Sequence, residues 1–283
     1  EDYYDEKTGM ELDAAKVREA RAEEIQFMKT ILLYEEASEE ECWRVTGKRP
    51  IATKWVDVKK GTEEEQEVRC RLVARDFKPK GEKEREDLFA ATPPLEAKKL
   101  LFRMAAGQVG ATKAECVKLM FIDVKKAHLN GVVGEGELAF IGLPAEANSG
   151  GRCGRLKKWL YGMRPAASAW EKDYADHFAE VGFVRGLSAP TEFFNPVTLV
   201  RCVVHGDDFT SLGHDDELRK VELQMREWYQ LKVRGLQGPE ARDDKDITIL
   251  NRRLRWTPSA LFTRQTRSML TSLSLIHLSE PTR

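Results

Sequence analysis

Three aspartates are the residues of this sequence best suited to chemistry, because each one lies beside a short run of apolar residues. Asp123 comes near the end of the run CVKLMFIDV, and Asp207 and Asp208 lie between two further apolar runs. An apolar run, a Gly-Asp turn and a second apolar run predict a β-hairpin with the aspartates at its tip. Carboxylates at the ends of neighbouring strands can hold two divalent ions roughly 4 Å apart, which suits in-line phosphoryl transfer. The alternative is a solvated turn, because aspartate is a common turn residue.

Helices and strands are predicted to alternate around these aspartates without an internal repeat. Amphipathic spacing and capping residues predict helices at 13–34, 95–109, 166–181 and 215–231. The second helix is expected to bury Leu100, Leu101, Met104 and Ala105. Apolar or alternating runs predict strands at 51–60, 67–77, 116–124, 198–204, 209–212, 232–236 and 247–256. The mixed order predicts an α+β fold with a largely antiparallel sheet.

Composition narrows the class of protein and its location. The 283 residues carry a formal net charge of -1, so any nucleic-acid-binding surface must be local. The hydrophobic content of 41% is enough for one large core or two small ones. The five cysteines are scattered, which argues against a disulfide framework and a zinc finger. Since neither a membrane-spanning run nor a signal peptide is evident, we expect an intracellular protein, cytoplasmic or nuclear, without a membrane partner.

Five sequence blocks, in order between residues 51 and 256, resemble the reverse transcriptase of copia-type retrotransposons. They are CRLVARDF at 70–77, DLFAATP at 87–93, DVKKAHLNG at 123–131, LKKWLYGMR at 156–164 followed by Trp170, and HGDD at 205–208. The resemblance implies a right-hand polymerase, with fingers and with a palm whose antiparallel sheet is backed by helices. It also implies an RNA-directed DNA polymerase that takes an RNA template, a DNA primer and dNTPs.

The resemblance assigns roles to individual residues. Asp123, Asp207 and Asp208 would be the catalytic residues and would bind two Mg²⁺ ions, or Mn²⁺, since hard cations prefer carboxylate oxygens. Arg71 would bind the phosphates of the incoming nucleotide, and His128 would lie at its sugar. The alternatives are that Arg71 is a solvated charge on a strand and that His128 is a polar residue without a chemical role. Four basic residues are expected to bind nucleic acid: Arg155, Lys157, Lys158 and Arg164. The alternative is that they form a solvated surface.

Three positions depart from the copia pattern. His128 stands where the family has an aromatic residue, so discrimination against ribonucleotides is expected to be weaker. His205 and Gly206 replace Tyr and Val before the two aspartates, which gives the Gly-Asp-Asp form of RNA-dependent RNA polymerases. The segment 165–168, PAAS, replaces Gln-Ala-Pro-Arg. Two alternatives therefore stay open, a non-catalytic nucleic-acid-binding remnant of a retrotransposon polymerase and an RNA-dependent RNA polymerase.

The resemblance also divides the chain into segments. A helical lead-in is expected at 1–45, fingers and palm at 46–240, and a partial thumb or connection at 241–272. The tail at 273–283, LSLIHLSEPTR, resembles the translation of a sequencing adapter and is excluded from fold reasoning; an ordinary polar tail is the alternative. Integrase and RNase H, further domains of a retrotransposon polyprotein, are expected partners that this sequence does not include.

Overall fold

The chain folds into two compact units. A computed structural model describes residues 2–60, 67–77, 88–107, 116–147, 150–250, 252–257 and 261–265. The first unit comprises Glu1–Ala91 and Lys126–Val181, and the second comprises Thr92–Lys125 and Gly182–Arg283. The division into four segments stays a prediction, and the tail at 273–283 lies outside the described residues.

The first unit combines three helices with small antiparallel sheets. Its elements, numbered in chain order across both units, are β1 (Tyr3–Tyr4), β2 (Glu11–Leu12), α1 (Ala14–Thr30), β3 (Tyr34–Ala37), α2 (Glu39–Thr46), β4 (Thr53–Lys60), β5 (Glu67–Ala74), β7 (Phe140–Gly142), β8 (Cys153–Leu156) and α4 (Ala166–Glu180). The sheets are β1–β2, β4–β5 and β3–β8–β7. Asp13 caps α1 by accepting hydrogen bonds from the amides of Ala15 and Lys16, as an N-cap aspartate does. The core contains buried residues of α1, β5 and the segment before α4, including Met28, Leu72 and Leu160.

The second unit is built on one large antiparallel sheet. Its elements are α3 (Leu95–Ala106), β6 (Lys118–Val124), β9 (Val184–Arg185), β10 (Glu192–Phe194), β11 (Arg201–His205), β12 (Asp208–Gly213), α5 (Asp215–Trp228), β13 (Leu231–Gln237), β14 (Asp246–Ile249), β15 (Arg252–Trp256) and β16 (Leu261–Gln265). Six strands pair in the order β13-β6-β12-β11-β10-β9, and three more in the order β14-β15-β16. These helices and antiparallel sheets confirm the predicted α+β class.

Helix α3 packs on both sheets of the second unit. Its buried residues share one hydrophobic cluster with Leu119 and Phe121 of β6 and with Leu254 of β15. Because side chains alternate along a strand, Asp123 points to the same face of β6 as Leu119 and Phe121. The end of β6 that carries Asp123 therefore presents its carboxylate on the α3 side of the sheet.

A buried lysine fixes the opposite end of β6. Lys118, whose side chain is 3% exposed, lies 2.7 Å from Asp243, 3.2 Å from Glu240 and 3.4 Å from Asp215. These carboxylates come from the start of α5 and from the segment after β13. Since a buried charge is tolerated only when it is paired, this cluster ties α5 and β13 to the strand that carries Asp123.

Predictions about several elements were wrong in detail; α5, for example, ends at Trp228 instead of residue 231. Helix α1 ends at Thr30 instead of residue 34, because the backbone turns through Leu32 (φ 51°) to begin β3. The strand predicted at 247–256 is a pair of strands, β14 and β15, that run antiparallel. Leu100 is 55% exposed, whereas the buried face of α3 contains Ala97, Leu101, Phe102 and Ala105. Within the described residues, no helix has both the length and the apolar character that a membrane crossing requires.

Candidate active site

The predicted hairpin is present and brings two of the three aspartates together. His205 and Asp208 pair across a two-residue turn whose first residue, Gly206, has φ 64°, and a two-residue hairpin turn favours glycine there. Strand β12 also pairs with β6, in a register that sets Asp208 directly opposite Asp123. Residues facing each other on antiparallel strands have Cα atoms about 4.5–5.5 Å apart. The two carboxylates therefore lie side by side on one face of the sheet.

Asp207 adjoins this pair through its backbone. Its carbonyl oxygen accepts a hydrogen bond of 2.9 Å from the amide of Val124, the residue after Asp123. The Asp207 side chain is exposed in the turn, whereas Asp208 is buried at 7% exposure. Asp207 thus lies next to the pair in the turn, and its side chain is more open to solvent than that of Asp208.

A β-bulge brings Arg234 to the same carboxylates. Strand β13 pairs with the free side of β6, and its register shifts between Val233 and Gly235, so that Arg234 is the extra residue. Its Nη2 atom lies 2.5 Å from Oδ1 of Asp123 and 3.7 Å from Oδ1 of Asp208. One guanidinium therefore spans the carboxylate pair.

Lys98 of α3 is a second cation near the pair, and it is buried. Its exposure is 5%, and within the described part of the chain its Nζ atom has no hydrogen-bond partner. Burial lowers the pKa of Lys98, and the negative charge of Asp208 opposes that change. Lys98 lies one turn before Leu101 and Phe102 on the buried face of the helix.

Burial also changes the acidity of the hairpin residues. It raises the pKa of Asp208, although the charges of Arg234 and Lys98 oppose the change. Burial, together with the charge of Lys98, lowers the pKa of His205 below its usual value, so His205 is neutral near pH 7. Negative charge at this end of the sheet is therefore balanced mainly by Arg234 and Lys98.

The ligand chemistry of the pair fits a divalent cation. Two facing carboxylates offer the hard oxygen ligands that Mg²⁺ prefers, and the guanidinium of Arg234 already binds there as a positively charged group. Among the residues that the structure describes, no group of three or more His, Cys, Asp or Glu side chains is arranged to hold a metal ion. The geometry thus supplies a carboxylate pair, with Asp207 next to it in the turn.

The two residues predicted to bind the nucleotide meet at one aromatic ring in the first unit. Arg71 of β5 places its Cζ atom 5.5 Å from the ring centroid of Tyr161, within the range of a cation–π contact. His128, in a short 3₁₀ helix at Ala127–Leu129, meets the same ring edge-on at 6.2 Å. Tyr161 therefore joins Arg71 and His128 into one cluster.

Gly162 fixes this ring to β5. The amide of Ala74 donates a hydrogen bond of 2.7 Å to the carbonyl oxygen of Tyr161. Gly162 has φ 78°, and a Cβ atom there would overlap the backbone of Ala74 and the side chain of Val73. Only glycine therefore permits this close approach without a shift of the backbone.

The four basic residues predicted to bind nucleic acid lie in the first unit, at 155–164. Arg155 lies 3.8 Å from Glu41, and Lys157 lies 2.9 Å from Glu35. The backbone amide of Arg164 donates to Asp76, and Lys158 is half-buried. Trp159, between the basic residues, is 5% exposed and belongs to the core. Acidic neighbours thus offset part of the positive charge, and nucleic-acid binding by this group stays a prediction.

Arg234 and Lys98 were not predicted from the sequence as residues of the site. Lys98 carried a usable signal, because its spacing of three and four residues from Leu101 and Phe102 places it on the buried face of α3. Arg234 carried none, because a charged residue in a strand usually points to solvent and the bulge that redirects its side chain was not evident.

Comparison with known proteins identifies the family. Residues 41–235 match the family described as Reverse transcriptase (RNA-dependent DNA polymerase). The chain belongs to this family. Membership makes it an RNA-directed DNA polymerase domain, in agreement with the prediction from the sequence blocks.

Two further comparisons accompany this reverse transcriptase assignment. No curated protein matches the chain in sequence. Among solved structures, apo telomerase from Candida Tropicalis, truncated from its C-terminal domain, is similar to the chain with 9% sequence identity and a TM-score of 0.47. The similarity covers 93% of this chain and 63% of the telomerase chain, so the reverse transcriptase chain spans less than two thirds of that protein.

Proposed function

We propose that this chain is the polymerase core of a copia-type retrotransposon and that it extends a DNA primer along an RNA template with dNTPs. The five sequence blocks in copia order support the retrotransposon assignment. The observation that carries the catalytic assignment is the register of β12 against β6, which sets Asp208 opposite Asp123. We place the reaction inside the cell, in the cytoplasm or the nucleus.

The two units fit different parts of a right-hand polymerase. We assign the palm to the second unit, because its antiparallel sheet is packed by α3 and carries the three aspartates. We assign the fingers to the β4–β5 hairpin of the first unit, which carries Arg71.

Asp123 and Asp208, together with Asp207, are the residues that would hold two Mg²⁺ ions or Mn²⁺. When bound, these ions lower the barrier to attack by the primer 3′-hydroxyl and stabilise the charge of the leaving pyrophosphate. The chain contributes rigid placement, because Asp123 and Asp208 are fixed by the strand register and the turn of Asp207 is held by Val124.

Arg71 would bind the triphosphate of the incoming nucleotide. A planar guanidinium forks onto phosphate oxygens, and its contact with Tyr161 limits the orientations of the side chain. His128, on the same ring, would lie at the sugar, where a smaller and more polar side chain than the family aromatic relaxes the discrimination against ribonucleotides. Arg155 and Lys157 would bind the nucleic-acid backbone after leaving their glutamate partners.

A second candidate function is a non-catalytic nucleic-acid-binding remnant. It is favoured by the guanidinium of Arg234 on the carboxylate pair and by the lack, within the described residues, of a ready group of three metal ligands. Parallel assays of primer–template binding and of primer extension on RNA with Mg²⁺ separate the two functions. Binding together with extension from dNTPs supports the polymerase; binding by the folded protein without extension supports the remnant. Extension from NTPs in preference to dNTPs would instead indicate an RNA polymerase.

A further inference from the structure

We propose that Arg234 is a built-in counter-cation of the Asp123–Asp208 pair and that divalent metal ions bind by displacing it. Metal loading is then an exchange of one cation for another at the same carboxylates. The inference rests on the proposed function, because it takes the pair as metal ligands. It adds a positioning residue to the polymerase, one that acts on the carboxylates and not on the substrate.

The position of Arg234 is built into the fold. The bulge between Val233 and Gly235 turns its side chain toward the end of β6. Two hydrogen bonds between Leu236 and Asp244 restrain the chain after the bulge. The amide of Leu236 donates to Oδ2 of Asp244, and the amide of Asp244 donates to the carbonyl oxygen of Leu236, both at 2.9 Å. Gly235 adds to this restraint, because a Cβ atom there would overlap the side chain of Ile247 of β14.

The contact of Arg234 covers both carboxylates with one group. Nη2 lies 2.5 Å from Asp123 and 3.7 Å from Asp208, so the guanidinium occupies the carboxylates that would hold a metal ion. Like charges so close to one another repel strongly at the low effective dielectric of a partly buried site. A divalent ion and the guanidinium therefore exclude each other at this pair.

Of the two cations beside the aspartates, Arg234 is the one whose side chain can move away from them. Its side chain is 38% exposed, so it can turn toward water while its backbone stays in the bulge. Lys98, in contrast, is 5% exposed on the inner face of α3 and stays in place. The structure thus contains a fixed cation, Lys98, and a displaceable one, Arg234, beside the same aspartates.

Direct measurement of Mn²⁺ binding tests the exchange. Binding is followed on the full chain by the loss of the free Mn²⁺ signal in electron paramagnetic resonance, for the wild type, Arg234→Gln and Asp123→Asn. Arg253→Gln is the matched control, since Arg253 forms a comparable exposed pair with Asp246 in the same unit, at 2.6 Å. Arg234→Gln is expected to bind Mn²⁺ about fivefold more tightly, the size of effect that release of a partly exposed ion pair produces. Arg253→Gln is expected to bind like the wild type.

A second variant keeps the test valid if Arg234→Gln does not fold, which circular dichroism detects. Arg234→Lys retains the positive charge on a side chain without the planar guanidinium, so a smaller gain, about twofold, is expected for the folded variant. Unchanged or weaker Mn²⁺ binding in the folded Arg234 variants, with wild-type binding that depends on Asp123, would overturn the exchange and leave the metal site standing. Wild-type binding that Asp123→Asn leaves unchanged would overturn the metal site and the exchange together.

Discussion

Asp208 lies directly opposite Asp123 on the neighbouring antiparallel strand, and the guanidinium of Arg234 reaches both carboxylates. Three separate parts of the chain produce this arrangement: the end of β6, the turn between β11 and β12, and the bulge of β13. Because each part is fixed by backbone pairing, the spacing of the carboxylates does not depend on flexible loops. Because backbone pairing holds the sheet together, single substitutions of these side chains can test the site without disrupting the sheet.

Gly162→Ala is expected to destabilise the protein by about 3 kcal/mol or more. The new Cβ atom combines a positive φ, which costs about 1–2 kcal/mol for an L-residue, with an overlap against the backbone of Ala74. Urea denaturation followed by circular dichroism measures the change in the free energy of unfolding.

Gly136→Ala is the matched control for that substitution. Gly136 has φ 84°, but a Cβ atom there would have no neighbour within 4 Å. Gly136→Ala should therefore lower the free energy of unfolding only by the cost of the positive φ, about 1–2 kcal/mol. Equal losses of unfolding free energy in the two variants would show that the close approach of Gly162 to β5 does not add to the destabilisation.

Tyr161→Leu is expected to raise KM for dNTPs about three- to tenfold with little change in kcat. The substitution removes the ring that contacts Arg71 and His128, and a cation–π contact contributes about 0.5–2 kcal/mol. Tyr161→Phe keeps the ring and should resemble the wild type. Single-nucleotide incorporation kinetics measure both constants, and a kcat defect shared by Leu and Phe would contradict a role in nucleotide binding.

Lys98→Met is expected to stabilise the protein at pH 7 by about 1 kcal/mol, because a buried cation without a hydrogen bond is replaced by an apolar side chain. Burial lowers the pKa of Lys98 below its ordinary 10.5. A lowered pKa in the folded state favours the neutral amine, so the wild type gains stability as pH rises toward 10.5, and its deficit against Lys98→Met should shrink.

Urea denaturation in EDTA at pH 7 and pH 9.5 measures this difference. Lys99→Met is the control, because Lys99 is 44% exposed and pairs with Glu96 across the surface of the same helix. A Lys98→Met protein less stable than the wild type at pH 7 would mean that attraction to Asp208 outweighs the cost of burial.

The sequence predicted those parts of the fold that depend on local patterns. The apolar run before Asp123 was sufficient to locate β6. The Gly-Asp turn located β11 and β12 and set their pairing, because a two-residue turn fixes the register of its own hairpin. Helix α3 was placed correctly, but its buried face was assigned to Leu100 where the structure buries Lys98. A rule that assigns apolar residues to the interior cannot find a buried lysine that balances a distant aspartate.

The rest of the site depends on long-range pairing. The pairing of β13 with β6, and the bulge that points Arg234 at Asp123, join residues more than a hundred positions apart. Tyr161 was recognised only as part of a sequence block, since its contact with Arg71 follows from the approach of Gly162 to β5. The ion pairs of Arg155 and Lys157 were missed because their partners, Glu41 and Glu35, lie more than a hundred positions earlier in the chain.

Primer extension on an RNA template with Mg²⁺ and dNTPs tests whether the Asp123–Asp208 pair is catalytic. The proteins compared are the wild type, Asp123→Asn, Asp208→Asn and a control, Asp246→Asn, whose carboxylate pairs with Arg253 on the surface of the same unit. We predict extension by the wild type and the control, and a loss of about 10²–10³-fold or more in both pair variants with the fold retained. Extension by folded Asp123→Asn and Asp208→Asn at rates close to the wild type would show that the carboxylate pair is not catalytic.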